Sequence, residues 1–268
     1  LKLVSFNINS LRARIHQLEA VIERLDPDVI CLQETKVSDE DFPLDAVSNL
    51  GYHVDFHGQK GHYGVATFSR QKPVNVLKGF KTDGTDAQRR AITTFYEVNG
   101  KTIGVFNGYF PQGENRAHET KFPAKEKYYK DLNAMVDELD CDEFVILGDF
   151  NISHQDIDIG IGDANRKRWL RTGKCSFLPE EREWLNSLLS KGFYDTFRKH
   201  HADVSDRYSW FDYRSRGFDD DPRRGLRIDL IVATKGLYDK CIASEIDYDI
   251  RAMEKPSDHC PIWSEFDI

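Results

Sequence analysis

Short apolar runs recur along the chain at residues 2–6, 29–33, 64–69, 91–98, 102–109, 144–148 and 226–233. Several are rich in Val, Ile, Phe and Tyr and are followed by Gly, Asn or Asp, which predicts buried strands ending in turns. Between them, residues 11–25, 124–139 and 179–191 repeat their apolar positions with helical spacing. Pro123 precedes the second of these segments and Pro179 opens the third, both natural helix entries. The runs 91–98 and 102–109 flank Asn99-Gly100, the signature of a tight hairpin. Strands interspersed with helices, together with adjacent strand pairs, predict mixed sheets covered by helices in an α/β fold. No Pro/Gly/Ser-rich or low-complexity linker divides the chain, so one domain over residues 1–268 is expected.

The polar residues that close these runs carry the chemical information. Asn7 and Asn9 follow the first run, Gln33-Glu34-Thr35-Lys36 the second, and Asp149 and Asn151 the run 144–148. Asp229 lies within 226–233, and Ser257-Asp258-His259 precedes Pro261-Ile262-Trp263. One carboxylate at a strand end is ordinarily a solvated loop residue or a helix cap. Five strand ends that all carry amide, carboxylate or imidazole groups point to a shared site. Phe6-Asn7-Ile8-Asn9 and Asp149-Phe150-Asn151-Ile152 also resemble each other, so a duplicated half-sandwich is a second expectation, with chance similarity as the alternative.

Charge narrows the partners. The net charge is −8, which opposes general coating of nucleic acid. Two local exceptions stand out: 166–174, with five basic residues and no acidic one, and 223–227, with three arginines. Local docking of a polyanion around metal-holding carboxylates fits that distribution. No 18-residue apolar run exists, so no membrane span is expected. The first residues alternate like a strand rather than forming a basic and then apolar leader. Five cysteines without a C-x-x-C pair argue against a disulfide framework or zinc site and fit a reducing cytoplasm.

Phosphodiester cleavage needs a nucleophilic water, a cation on the nonbridging oxygens and help for the leaving oxygen. A hard ion such as Mg²⁺ takes a few carboxylate oxygens and retains waters. His259 could act as acid, base or electrostatic partner, with Asp229 fixing its tautomer.

At these residues the sequence resembles the exonuclease III family, in the superfamily that also contains deoxyribonuclease I and the inositol-phosphate phosphatases. The matching stretches include Ser5-Phe6-Asn7-Ile8-Asn9, residues 28–36, Gly61-His62-Tyr63-Gly64-Val65, Asn107-Gly108-Tyr109-Phe110-Pro111-Gln112-Gly113, Gly148-Asp149-Phe150-Asn151-Ile152, Leu226-Arg227-Ile228-Asp229 and Ser257-Asp258-His259-Cys260-Pro261. They run nearly end to end in order.

The resemblance implies a four-layer α/β sandwich, two mixed sheets face to face with helices outside. It makes Glu34 the main metal carboxylate, with Asn7 and Asp258 close by, and extends the metal set to Asp149, Asn151 and His259. Asp149 would position or activate the attacking water, Asn151 would contact the phosphate, Tyr109 would lie near the scissile phosphate, and His259 would pair with Asp229. Mg²⁺ is the implied cofactor, with Mn²⁺ as substitute. Double-stranded DNA with abasic sites or 3′ ends is the implied partner, and a monomer is expected. The chain departs from the family at Ser10, where Gly is common, and at Cys260, where Ala is common.

Within the family, Lys167, Arg171 and Lys174 are spaced to share one helical face and are expected to contact duplex phosphates, unless they form a merely solvated face. Arg89 and Arg90 are weaker candidates for the same role. The aromatic run 208–213 reads as core by composition alone. The resemblance instead places Trp210, Leu226 and Ile228 in an apolar pocket for an extruded sugar that lacks its base. The expected activities are 3′→5′ digestion of duplex DNA, incision 5′ to abasic sites and removal of 3′ phosphates. A phosphatase or phospholipase of the same superfamily, and a catalytically silent DNA-binding module, are the alternatives.

Overall fold

The computed structural model describes residues 1–268. Strand β1 (Lys2–Asn7) leads through helix α1 (Ile15–Leu25) to β2 (Val29–Gln33), which lies parallel to it with Asn7 beside Gln33. Beyond the single turn α2 (Leu44–Val47), β3 (His53–His57) and β4 (Val65–Ser69) extend this sheet antiparallel from β2. A second sheet begins with β5 (Asn75–Lys78), β6 (Ala91–Val98) and β7 (Lys101–Tyr109). The β6–β7 turn sits at Asn99-Gly100, both at positive φ, as a primed hairpin turn requires.

Helix α3 (Lys121–Asp137) then crosses to β8 (Glu143–Asp149), parallel to β7 with Asp149 beside Tyr109. Next come α4 (Asp163–Thr172), α5 (Pro179–Leu189), β9 (Phe193–Asp195), α6 (Thr196–His200) and β10 (Asp229–Thr234), which completes the second sheet. Helix α7 (Lys235–Asp239) leads back to the first sheet, where β11 (Cys241–Ile246), α8 (Tyr248–Arg251) and β12 (Ile262–Phe266) follow. The strand orders are β11-β12-β1-β2-β4-β3 and β5-β6-β7-β8-β10-β9.

Both faces of the inner strands are buried, and this explains why they read as continuous apolar runs. Along β8, Val145 and Leu147 face the opposite sheet, while Phe144 and Ile146 pack outward with Tyr129 and Leu132 of α3 and with Leu185 and Leu188 of α5. Along β1, Leu3 faces inward and Val4 and Phe6 outward, toward Leu18 and Val21 of α1 and Ile250 of α8. Helix, sheet, sheet and helix make the expected four-layer sandwich. Each fully buried aliphatic or aromatic side chain contributes about 1.5–3 kcal/mol.

Toward the C-terminal ends of β1, β2, β7 and β8 the inter-sheet layer turns polar. Gln33 Nε2 donates across the gap to Asn107 Oδ1 at 2.8 Å, and Asn107 Nδ2 donates to the carbonyls of Leu32 and Ala66. Both side chains are fully buried and both amide nitrogens are paired, so they fix the relative register of the sheets, while Gln33 Oε1 has no partner.

The expected duplication is present, but with different partners. Each sheet holds one parallel pair bridged by a helix, β1–α1–β2 and β7–α3–β8, so β8 corresponds to β2 and β7 to β1. Several boundaries also move. Helix α1 starts at Ile15 because residues 11–14 form a turn, and α3 starts at Lys121, with Pro123 in the first turn where its missing N–H costs no helical bond. Strand β10 starts at Asp229, since Leu226 instead exchanges backbone bonds with Trp210. Strands β3, β5, β9, β11 and β12 escaped the hydrophobic pattern, being short, at or near the sheet edges, and partly polar.

Ser10, where the family resemblance makes Gly the expected residue, sits at φ +83. Ser10→Gly removes the Cβ clash of that conformation and is expected to leave stability unchanged or raise it by up to about 1 kcal/mol, read by urea unfolding. A loss of stability on that substitution would mean that the Ser10 hydroxyl stabilises the turn.

Candidate active site

The polar layer opens at one end of the sandwich. Asn7 ends β1, Glu34 follows β2, Asp149 ends β8, Asp229 begins β10 and His259 precedes β12. Asn7 Nδ2 donates to Glu34 Oε1 at 2.8 Å and to Asp149 Oδ2 at 2.9 Å, one amide spanning the two sheets. His259 Nδ1 lies 2.8 Å from Asp229 Oδ2, and its Nε2 is 3.6 Å from Asp149 Oδ2. One ligand atom each from Glu34, Asp149 and His259 falls within 4.8 Å of the others. The backbone is shaped for this convergence. Gly148 has φ +142, and a Cβ there would collide with the Gly108 carbonyl oxygen, so only glycine lets β8 approach β7 this closely before Asp149. Asn9, Glu34 and Asn151 are held at φ +47, +50 and +53, a clustering of left-handed residues that costs on the order of 1–3 kcal/mol each and is typical of functional sites.

Beside this cluster lies a cleft of about 580 Å³. One end is polar, lined by Glu34, Tyr109, Asp149, Asn151, Asp258 and His259. The other is apolar: Trp210, Leu226 and Ile228 meet Ile161 and Trp169 from the α4 region, with Phe177 stacked on Trp169 at 5.6 Å. Arg168, Lys174, Arg214 and Arg224 ring the apolar end. Asp258 joins the two ends, accepting from Trp210 Nε1 at 3.1 Å and from Asn9 Nδ2 at 3.2 Å.

The endonuclease/exonuclease/phosphatase family model matches residues 4–259. Exodeoxyribonuclease III of Haemophilus influenzae is 60% identical over 268 residues, covering 99% of this chain and 100% of that protein. The chain belongs to the endonuclease/exonuclease/phosphatase family. Among solved structures, an AP endonuclease from Archaeoglobus fulgidus superposes with a TM-score of 0.89 at 34% identity, with both chains fully covered. So does the 3′ phosphatase NExo from Neisseria, bound to a product DNA hairpin, at 0.89 and 33% with the same coverage.

This family member holds its titratable groups far from their solution behaviour. Burial pushes the Asp149 carboxyl up to about 7, against the pull of the nearby His259 charge and with a further push from Asp229. Burial alone would lower the His259 imidazole, but the Asp229 and Asp149 carboxylates outweigh it and raise the group well above the ordinary histidine range. The imidazolium is therefore the stable form at neutral pH. Burial and the charge of Glu34 raise the Tyr109 phenol, which stays protonated as a hydrogen-bond donor.

The predicted set is brought together unevenly. Asn7, Glu34, Asp149, Asp229 and His259 form one connected group. Asn7 directs its amide nitrogen at the carboxylates, which suits an orienting group better than a metal ligand, and Asp258 lies outside the tight three-residue cluster. Asn151 is 6% exposed and donates to the Phe110 carbonyl at 2.8 Å.

The basic face differs from expectation. Helix α4 ends at Thr172 and reverses at Gly173, φ +77, so Lys174 is not on the helix. It folds back over the Trp169 ring at 4.0 Å. Lys167 and Arg171 are exposed but do not line the cleft, where Asn165, Arg168 and Trp169 form the inward face of α4. Arg168 was missed although its spacing from Asn165 and its position beside Trp169 mark that face. Arg90 is sandwiched between the Tyr63 and Tyr109 rings at 4.3 and 4.6 Å, at the rim of the site. Arg89 is committed to Asp39 and the Gly58 carbonyl.

Asp229→Asn removes the carboxylate that holds the imidazolium. The His259 ring resonances of the metal-free protein should then titrate at distinctly lower pH, toward the ordinary histidine range. A titration left where it was would show that Asp229 does not set the His259 charge.

Proposed function

We propose that this protein is a DNA-repair nuclease that hydrolyses phosphodiesters of duplex DNA with a bound Mg²⁺, for which Mn²⁺ can substitute. It removes nucleotides 3′→5′, incises 5′ to abasic sites and clears 3′ phosphates. The observation that carries this reading is the cleft itself, in which a carboxylate–imidazolium group sits beside an apolar recess rimmed with arginine and lysine. Identity of 60% over the full length of an exodeoxyribonuclease III and structural likeness to an AP endonuclease and a 3′ phosphatase support the same assignment.

The donor set fits a hard divalent ion. Glu34 and Asp149 offer carboxylate oxygens within a few ångströms of each other, a pairing that a cation relieves. Bound there, the ion would polarise a nonbridging phosphate oxygen and offset the developing charge. The remaining work falls to the chain. Asp149, buried beside Asn7 and His259, accepts a proton from the attacking water. His259, kept protonated by Asp229, donates toward a phosphate oxygen as negative charge grows. Tyr109 and Asn151 present donors from the adjoining wall and hold the phosphate in line. Trp210, Leu226 and Ile228 receive a sugar without a base, for which unstacking is least costly.

Incubated with end-blocked duplex DNA carrying one abasic-site analogue, the protein should cut once, 5′ to the lesion, in Mg²⁺ and not in EDTA. Glu34→Gln and His259→Asn should each lower that rate by about 10²-fold or more. Turnover of a phosphoinositide but not of abasic DNA would place the chain among the family's phosphatases. DNA binding without cleavage in either metal would make it a silent binding module.

The raised Asp149 carboxyl also predicts a pH dependence. A carboxyl whose folded pKa lies above its unfolded value favours the folded state at low pH, and this stability is lost as pH rises through about 7. His259 works in the same direction. A cation restores what deprotonation removes, so Mg²⁺ should raise the melting temperature more at pH 8 than at pH 6. Equal shifts at the two pH values would take Asp149 out of the metal site.

A further inference from the structure

Behind the cleft, and outside every role assigned above, lies a charge pair with no solvent exposure. Lys125 of α3 and Glu181 of α5 form an ion pair whose side chains are both 0% exposed. The three protons of the Lys125 ammonium are all used: on the Glu181 carboxylate, on the Asn151 carbonyl at 2.7 Å and on the Gln112 carbonyl at 3.2 Å. Glu181 is equally committed, its Oε1 accepting from the backbone N–H of Ser176 at 2.8 Å and of Leu178 at 3.1 Å. Ser153 N–H donates to the Ser176 carbonyl at 2.8 Å, a second tie between the same two segments.

Four separate stretches of chain thus meet at one buried pair, and three of them, through Gln112, Asn151 and Ser176, line the cleft. Lys174, two residues before Ser176, belongs to the basic rim. A buried ion pair is a poor device for stability, because well-packed apolar residues of similar volume do as well or better. It does fix geometry, since each of its bonds is directional and leaving any one unmade is costly.

We infer that Lys125 and Glu181 are positioning residues that lock the Asn151 loop to segment 174–178, so that the phosphate-facing donors and the basic arm hold one register. The inference rests on the nuclease reading for its activity test, but its structural test does not.

The variant Lys125→Met/Glu181→Gln replaces the pair by a neutral one of similar volume and leaves an acceptor for Ser176 and Leu178. Expected are a melting temperature within a few degrees of the parent, amide exchange that quickens together in 149–153 and 174–178, and kcat on abasic duplex DNA lowered at least tenfold with KM changed less than threefold. Unchanged exchange in those two stretches, or kcat within twofold of the parent in a folded variant, would overturn the inference. Should the double variant fail to fold, Lys125→Arg, which keeps the buried charge pair while shifting the donors that hold the Asn151 and Gln112 carbonyls, gives the same reading: a lowered kcat with KM retained supports it, and an unchanged kcat overturns it. The parent protein in Mg²⁺ and EDTA serves as the control for the nuclease reading, and its failure to cut would leave the exchange result standing on its own.

Discussion

The molecule turns on one amide. Glu34 comes from the first sheet and Asp149 from the second, and the packing of the two sheets drives these carboxylates toward each other at the edge of an apolar core. Two negative charges at that spacing repel strongly in a medium less polar than water. Asn7 answers both with the two protons of a single side-chain nitrogen, and His259 adds a positive charge from the other side. The sheets can close as far as they do because their facing polar edges are bonded: at the mouth by Asn7 and deeper by Gln33 and Asn107.

The repeated half-sandwich makes this possible with little irregular chain. Each parallel pair brings two strand ends to the same edge, as β-helix-β units do, so facing sheets present four ends to one another. Short loops then add what the strands lack. The segment before β12 brings Asp258 and His259, and the stretch around Trp210 pairs with Leu226 to build the apolar end. Asn9, Glu34 and Asn151 bring left-handed backbone to this edge, a conformation that also recurs at turns such as Asp26, Asn99 and Arg216.

Much of this was legible in the sequence. Inner strands such as β2 and β8 are apolar on both faces, so their positions and their polar terminators could be read directly. The candidate site group followed, since strand ends are where a buried sheet can show polar atoms. What stayed hidden depends on long-range contact. The strands β3, β5 and β9 draw their identity from neighbours, not from their own composition. Lys174 carried the right charge and the right spacing for a helical face, but Gly173 turned the chain before it. Lys125 looked like one more charged residue on an amphipathic helix, because nothing local announces that Glu181, 56 residues later, will bury beside it.

The hydrogen bond from the Trp210 indole to Asp258 has a thermodynamic corollary. Asp258 also accepts from Asn9, which neighbours the strand end that carries Asn7, so the apolar recess and the carboxylate cluster are mechanically continuous. A guest that shifts the indole on entering the recess perturbs the electrostatics of the cluster, and a charge placed in the cluster changes the set of indole positions. Linkage makes such effects equal in both directions. On the proposed reading, occupancy of the recess and cation binding at the cluster are thus heterotropically linked through Asp258.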